Sequence, residues 1–213
     1  MDIYEALYTT RAMRRLKPDP IPYDVQARIL DAAIRAPNMD QQWRFLLVDD
    51  PAIKSQLAPL YLRAWDLLFE QFGISAAALD AMLKSDTPVG RAARSGNHLA
   101  HHFAEVPLLL IGFSRVPGGS SIDQALWSAM LAARAERVGS TWTGVLQRYC
   151  ADEACTILGV PKDEGWFMQG VITMGYPLGT WRVAPRKPVH EVAARNSWQG
   201  ELGFTVPEPL WPK

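Results

Sequence analysis

Apolar residues recur at helical spacing in five stretches of the chain. They predict helical regions at residues 2–9, 24–36, 53–94, 122–137 and 152–158. Asp24 directly precedes the apolar positions of the second region and is the expected N-cap, and Pro37 ends that region. We expect a break near Gly73 in the third region, because glycine is a poor helix former. The pattern therefore predicts a protein rich in amphipathic helices.

Short apolar runs between these regions are typical of buried strands. Strands are predicted at residues 43–48 (WRFLLV), 106–113 (VPLLLIGF) and 171–174, with a short extended segment at 139–144. Strands that alternate with helices indicate a sheet covered by helices, of the α+β or α/β class. No repeat or linker divides the chain, so we expect a single domain over residues 1–213. Its proline- and tryptophan-rich carboxyl end should reach a partner.

Composition and charge exclude several classes of protein. Lysine plus arginine number 22 and aspartate plus glutamate also number 22, so the net charge is zero. A neutral chain has no long-range field that would gather nucleic acid or an anionic membrane. No apolar run is long enough to span a bilayer, and the amino terminus lacks a signal-peptide pattern. Two cysteines make no disulfide framework. We expect a cytoplasmic protein without a nucleic-acid or membrane partner.

The chain carries none of the common motifs that mark a catalytic or metal-binding site. The chain has no GxSxG elbow, HExxH pair or phosphate-binding P-loop. His98 and His102 are one helical turn apart, but no acidic or cysteine ligand stands at a fitting distance in sequence, so no metal site is predicted. GSTWTG at 139–144 lacks a glycine needed for a dinucleotide-binding Rossmann turn. If the protein is a redox enzyme, a bound cofactor must carry the chemistry.

A basic cluster near the amino terminus is the best positive clue. Arg11, Arg14 and Arg15 follow the first predicted helix, and Arg186 with Lys187 could complete the same site near the other end of the chain. Guanidinium groups bind phosphate in a planar, bidentate manner. Basic clusters of this kind are more often solvated surface, so the residues alone leave both interpretations open.

Four ordered motifs resemble the nitroreductase family. TRAMRRL at 10–16, followed by KPDPIP, is similar to the family signature Arg-Arg-Ser-x-Arg-x-Phe before a proline-containing turn. APNMDQQWRF at 36–45 resembles Ala-Pro-Ser-x-x-Asn-x-Gln-Pro-Trp-x-Phe. Residues 122–144 resemble the family's long central helix and its Gly-Leu-Gly-x-x-Trp-x-Gly turn. GYP at 175–177 and RKP at 186–188 match the closing motif. Thr10 and Ala12 depart from the first motif, and the second motif is shorter than the family pattern.

This resemblance implies a three-layer α+β fold with a central, mainly antiparallel sheet and an intertwined homodimer. A carboxyl-terminal extension from about residue 178 would wrap the partner subunit, and two FMN molecules would bind between the subunits. Arg11, the backbone of Ala12 and Arg186 would hold the FMN phosphate, and Arg14 would lie near flavin N1 and O2. The remaining implied contacts to the flavin and its ribityl chain are those of Asn38, Met39, Gln41, Thr143 and Gly144.

The implied activity is that of an FMN-dependent oxidoreductase. NAD(P)H would deliver a hydride to the flavin in a ping-pong cycle, and a nitroaromatic, quinone or related small acceptor would follow, with no catalytic side chain needed. The alternatives are an enzyme of the same fold with other chemistry, either reductive dehalogenase-like or one that consumes its own flavin, and a non-catalytic flavin-storing or regulatory protein. Residues 57–94 are a candidate lid. Four aromatic residues either line the acceptor pocket or pack in the core: Trp65, Phe69, Phe72 and Trp142.

Overall fold

The computed structural model describes residues 1–211, without the side chain of Ser120. Contacts divide the chain into two compact units, one formed by Ala12–Thr180 and the other by Met1–Arg11 together with the chain from Trp181 onward. The larger unit contains the β-sheet and seven of the eight α-helices found in the described residues. No helix in this part of the chain has both the length and the apolarity needed to cross a bilayer.

The larger unit is built on one antiparallel sheet of four strands. These are β1 (Trp43–Val48), β2 (Leu108–Ser114), β3 (Gly139–Thr143) and β4 (Phe167–Gly175). Their order across the sheet is β1-β2-β4-β3, and every neighbouring pair is antiparallel. All seven residues of β2 are buried, which accounts for its unbroken apolar sequence. In this strand order, β1 and β3 form the two edges of the sheet.

Helices cover both faces of this sheet. Alternate residues of a strand point to opposite faces, so Leu109 joins one apolar cluster and Leu110 the other. On the Leu110 side lie α2 (Tyr23–Ala33) and α6 (Ser120–Ala135). The helices that follow β1 and β3 form the rest of the unit: α3 (Pro51–Gln71), α4 (Ala76–Lys84), α5 (Pro88–His101), α7 (Val145–Tyr149) and α8 (Ala151–Ile157). Leu57 of α3, Leu99 of α5 and Leu146 of α7 pack in the Leu109 cluster. The three-layer α+β arrangement is confirmed.

Several predicted boundaries need correction. α2 begins at Tyr23 with Pro22 at the N-cap, so the expected cap Asp24 lies inside the first turn. The Asp24 carboxylate instead pairs with Arg28 one turn later, at 3.0 Å. The helix α7 was not predicted, because five residues are too short to show a period. β4 begins at Phe167, four residues before the predicted start, because its first residues also pair with β2.

The predicted helical region 53–94 consists of α3, α4 and part of α5. Asp50 caps α3, its carboxylate accepting a hydrogen bond from the Ala52 N–H at 2.7 Å. The expected break occurs at Gly73, which has a φ of 67°. Such a left-handed conformation suits glycine and ends the helix. α4 has no buried residue, so it packs more loosely than the helices on either side.

The smaller unit joins the two ends of the chain. Its only α-helix among the described residues is α1 (Ile3–Thr9), capped by the Asp2 carboxylate. The Ala184 N–H donates to the Tyr8 carbonyl at 3.1 Å, and the Tyr8 and Trp211 rings lie 5.8 Å apart. Trp198 is 96% exposed. This unit thus leaves large apolar side chains in water, which is typical of a surface that meets a partner.

Candidate functional site

The segment after α1 lies along the exposed edge of the sheet. Ala12 forms a parallel bridge with Ser140 of β3, and the Met13 N–H donates to the Ser140 carbonyl at 3.0 Å. The Lys17 N–H donates to the Tyr176 carbonyl at 2.7 Å. These hydrogen bonds use backbone groups that would otherwise be unpaired at the edge of the sheet. They also hold the segment that contains Arg14 in an extended conformation. The sheet edge therefore positions the predicted flavin-binding arginine.

Arg14 is a half-buried cation without an acidic partner. Its Nη1 donates to the Ser95 Oγ of α5 at a long 3.4 Å, and it forms no ion pair with any residue that the structure describes. Burial lowers the pKa of the Arg14 guanidinium, while the nearby Tyr61 acts in the opposite direction. Protein interiors rarely hold an unpaired charge. The arrangement fits a site that receives an anionic ligand.

Tyr61 links Arg14 to the end of β3. This α3 residue is 2% exposed, its ring stacks on Phe103 at 4.1 Å, and its hydroxyl lies 2.8 Å from the Thr143 Oγ1. Burial raises the pKa of Tyr61, whereas the Thr143 hydrogen bond and the Arg14 charge lower it. The structure thereby brings the predicted residues Arg14 and Thr143 together. Tyr61 was missed, since no motif marks a partner 82 residues away.

Gly144 lies between β3 and α7 and borders a cavity of about 570 Å³. Polar groups of Gln147, Arg148 and Gln169 line this cavity, together with the ring of Phe167. The Oε1 of Gln147 is buried and has no hydrogen-bond partner. The cavity has the size of a small-molecule site. The sequence motifs named Gly144, but they named neither Gln147 nor Arg148 of the helix that follows it.

Asn38, Met39 and Gln41 lie elsewhere. They precede β1, which is the opposite edge of the sheet from β3. With a spacing of about 4.8 Å between strands, the two edges are separated by roughly 14 Å. The Asn38 Oδ1 accepts hydrogen bonds from the backbone of Asp40 and Gln41, and Met39 is fully exposed. The strand order therefore does not place these residues beside Thr143 of β3.

The two arginines expected at the FMN phosphate belong to the smaller unit. Arg11 ends the first segment of that unit, and its side chain is exposed. Arg186 is also exposed, and its Nη1 donates to the carbonyl of the preceding Pro185 at 2.8 Å. Neither forms an ion pair with a residue of the described chain. Both guanidinium groups are available for a phosphate.

Most of the aromatic residues considered for the acceptor pocket pack against other residues of the chain. Trp65 meets Phe69 edge to face at 4.9 Å, and its Nε1 donates to the Asn97 Oδ1 at 3.3 Å. Trp142 packs against Gly170, where an added Cβ would lie 2.5 Å from its Nε1. Phe72 is 66% exposed at the end of α3. Core packing therefore accounts for three of the four aromatic residues.

His98 of α5 stacks on His102, which directly follows that helix. The His98 and His102 rings lie 4.1 Å apart, and the His102 Nδ1 contacts the His98 carbonyl at 2.8 Å. Burial is the main cause that lowers the pKa of His98, with His102 and Arg15 acting in the same direction. Within residues 1–211, no three histidine, cysteine or acidic residues gather in a way that could hold a metal ion.

The model of the nitroreductase family matches residues 7–176. An NADH dehydrogenase of Thermus thermophilus is 41% identical over 59 residues, which cover 27% of this chain and only 29% of that protein.

Two solved structures share the fold at low identity. An oxidised iodotyrosine deiodinase bound to FMN and 3-iodo-L-tyrosine superposes with a TM-score of 0.67 at 21% identity, over 87% of this chain and 95% of that one. The FMN-dependent nitroreductase NfnB from Mycobacterium smegmatis, in complex with NADPH, gives 0.66 at 21% identity, over 89% and 96%. The family match covers well over half of the chain, and the superpositions agree with it. The protein belongs to the nitroreductase family and has the nitroreductase fold.

Proposed function

We propose that this protein is an FMN-dependent oxidoreductase that takes a hydride from NADH or NADPH and reduces a small nitroaromatic, quinone or related acceptor. The observation that carries the proposal is the unpaired, half-buried charge of Arg14 beside the end of β3. Reduction adds negative charge to a flavin, and a fixed cation in a partly dry site stabilises such charge strongly. A purely structural arginine would be expected to face a carboxylate.

The donor set at this edge suits FMN. Arg14 would face the N1 and O2 edge, and the backbone N–H groups of Thr143 and Gly144 would face N5 and O4. Arg11, Ala12 and Arg186 would hold the phosphate. When bound, FMN would supply the redox chemistry by accepting the hydride and passing electrons on, so no protein nucleophile or base is required. The protein's part is to bind, orient and shield the reacting groups.

A homodimer would complete this site. Asn38, Met39 and Gln41 lie at the β1 edge, so a second copy related by a two-fold axis could present them to the β3 edge of the first. Trp127 on α6 is 41% exposed, and Trp198 in the carboxyl-terminal extension is almost fully exposed. Aromatic residues of this kind are enriched in subunit interfaces. We place the extension, from about residue 178, on the partner subunit.

The test is a visible spectrum of the purified protein, followed by anaerobic addition of NADH and then NADPH. We expect the absorption of oxidised flavin, which bleaches when either nucleotide is added, and parallel double-reciprocal plots in steady-state assays with a quinone. A flavin spectrum that does not bleach would instead indicate the non-catalytic storage or regulatory protein. A protein that stays colourless after FMN is supplied would refute the flavin site itself.

A further inference from the structure

Tyr61 is a buried residue to which the proposed function gives no role. Its hydroxyl lies 2.8 Å from the Thr143 Oγ1, a distance that allows either atom to be the donor. We propose that Tyr61 is a positioning residue whose phenol donates to Thr143, so that the threonine directs its own hydroxyl hydrogen toward the flavin ring. This hydrogen would bind reduced FMN more strongly than oxidised FMN. The inference rests on the proposed function and deepens it.

Burial fixes the direction of this hydrogen bond. Tyr61 is 2% exposed, and the Thr143 Oγ1 is the hydrogen-bond partner that the described residues offer to its hydroxyl. A buried phenol nearly always pairs its hydrogen. If Thr143 were the donor, the phenol hydrogen would be buried without an acceptor. Burial also raises the pKa of Tyr61, so the phenol keeps this hydrogen at neutral pH. Tyr61 is therefore the donor.

Thr143 then has a hydroxyl hydrogen left for a ligand. A hydroxyl group carries one hydrogen and two acceptor positions. The Tyr61 phenol uses one acceptor position, and no described residue accepts the hydrogen of Thr143. Thr143 is only half-buried, and it is the last residue of β3, at the edge of the sheet. Its hydrogen is therefore available to a ligand bound at this edge.

Arg14 favours the same orientation of the phenol. The Arg14 charge lowers the pKa of Tyr61, in opposition to burial, which places the guanidinium near the phenol oxygen. Next to a cation, a phenol is most stable with its oxygen toward the charge and its hydrogen away from it. Thr143 receives this hydrogen. Because Arg14 and Thr143 both lie close to Tyr61, one ligand can contact the guanidinium and the threonine hydroxyl together.

The threonine hydroxyl should favour the reduced flavin. Reduction adds negative charge to the ring, and a hydrogen bond to a charged acceptor is roughly twice as strong as one to a neutral acceptor. Without the Tyr61 phenol, the Thr143 hydroxyl is free to rotate away. Tyr61→Phe keeps the aromatic ring, and with it the stack on Phe103 at 4.1 Å. This variant therefore tests the hydrogen bond and leaves the packing in place.

The experiment measures the Kd of oxidised FMN by fluorescence titration and the reduction potential of bound FMN by equilibration with a reference dye. Together with the potential of free FMN, these quantities give the Kd of reduced FMN. We expect Tyr61→Phe to raise the Kd of reduced FMN by about three- to tenfold more than that of oxidised FMN. The control Tyr149→Phe removes a phenol that is hydrogen-bonded to Gln71 instead, and it should leave the ratio of the two Kd values unchanged.

Two substitutions of Thr143 test whether Tyr61 acts through it. Thr143→Val removes the hydroxyl and should change the Kd ratio at least as much as Tyr61→Phe does. Thr143→Ser keeps the hydroxyl and should stay close to the wild-type ratio. Adding Tyr61→Phe to Thr143→Val should change the ratio no further, because the two residues act as one unit. If Tyr61→Phe fails to fold, equal ratios in Thr143→Val and Thr143→Ser would still refute the inference.

A purely structural role of Tyr61 would weaken the binding of both oxidation states equally. An unchanged Kd ratio in Tyr61→Phe therefore overturns the inference. The proposed function survives that result if the variant still binds FMN that NADH or NADPH bleaches. A wild-type protein that binds no FMN would instead refute the proposed function, and this inference with it.

Discussion

Replacing Arg14 by methionine should stabilise the FMN-free protein against unfolding and should weaken its binding of FMN. Arg14 is half-buried, its one hydrogen bond is long, and no carboxylate of the described residues pairs with it. Replacing a buried ion pair by apolar residues is often neutral or stabilises a protein by about 1–4 kcal/mol, and an unpaired cation lacks even the partner that would offset its desolvation. Because part of the guanidinium still reaches water, we expect the lower end, about 1–2 kcal/mol in favour of Arg14→Met.

The same substitution should weaken FMN binding. A hydrogen bond from a charged group contributes about 1.5–3 kcal/mol, and its loss corresponds to a roughly 10- to 150-fold higher Kd. The reduction potential of bound FMN should also fall, since the cation that stabilises the added negative charge is gone. An opposite effect on stability and on binding is typical of residues whose geometry serves a ligand.

Urea unfolding of the FMN-free protein at one protein concentration gives the first quantity, and fluorescence titration with FMN gives the second. The matched control is Arg15→Met, which removes an exposed charge from the neighbouring residue of the same segment. That control should change stability by less than about 0.5 kcal/mol. If Arg14→Met destabilises the FMN-free protein, or leaves both the Kd and the reduction potential of FMN unchanged, Arg14 is a structural residue and the reasoning is wrong.

Four further substitutions test three separate features. Tyr61→Phe should cost about 1 kcal/mol by urea unfolding at pH 8, because the hydrogen bond to Thr143 is lost. Burial raises the pKa of Tyr61 above its ordinary 10.0, so the wild-type protein should lose stability as pH rises above that value, and this loss should be smaller in Tyr61→Phe. Arg137, two residues after the end of α6, has a φ of 62°, so Arg137→Gly should raise the free energy of unfolding by about 1 kcal/mol. Gly159→Ala, at a φ of 66°, should lower it by a similar amount. Trp127→Glu should turn the expected dimer into a monomer by light scattering and reduce its FMN content; a dimeric variant with full FMN content would exclude α6 from the interface.

Local sequence patterns were sufficient for much of the fold. The strand predicted at residues 43–48 has those bounds, because a run of strand formers ends there at two aspartates and a proline. The helix break at Gly73 was also predicted, since glycine readily takes the left-handed conformation found there. Elements without a clear period were the ones missed. The five residues of α7 are an example, and their helix becomes evident only from its packing against α3.

The candidate site was predicted only in part. The ordered motifs named Arg14, Thr143 and Gly144, and the structure places them at one edge of the sheet. The motifs did not name Tyr61, which contacts Thr143 from a helix far earlier in the chain. They also gave no sign that Gln147 would be unpaired. Whether a polar group has a hydrogen-bond partner depends on all the residues around it, and folding brings these residues together from distant parts of the chain.

The sequence by itself determined the family, the basic cluster and the alternation of helices and strands, because these depend on residue type and on short-range spacing. The tertiary structure alone decided that Arg14 pairs with no carboxylate among the described residues, and that residues 38–41 precede the strand at the opposite edge of the sheet from β3. The physical reason is that strand order and burial are set by contacts between distant parts of the chain. Because residues 38–41 precede the β1 edge, we propose that a second copy presents them to the β3 edge and that the site is completed in a dimer.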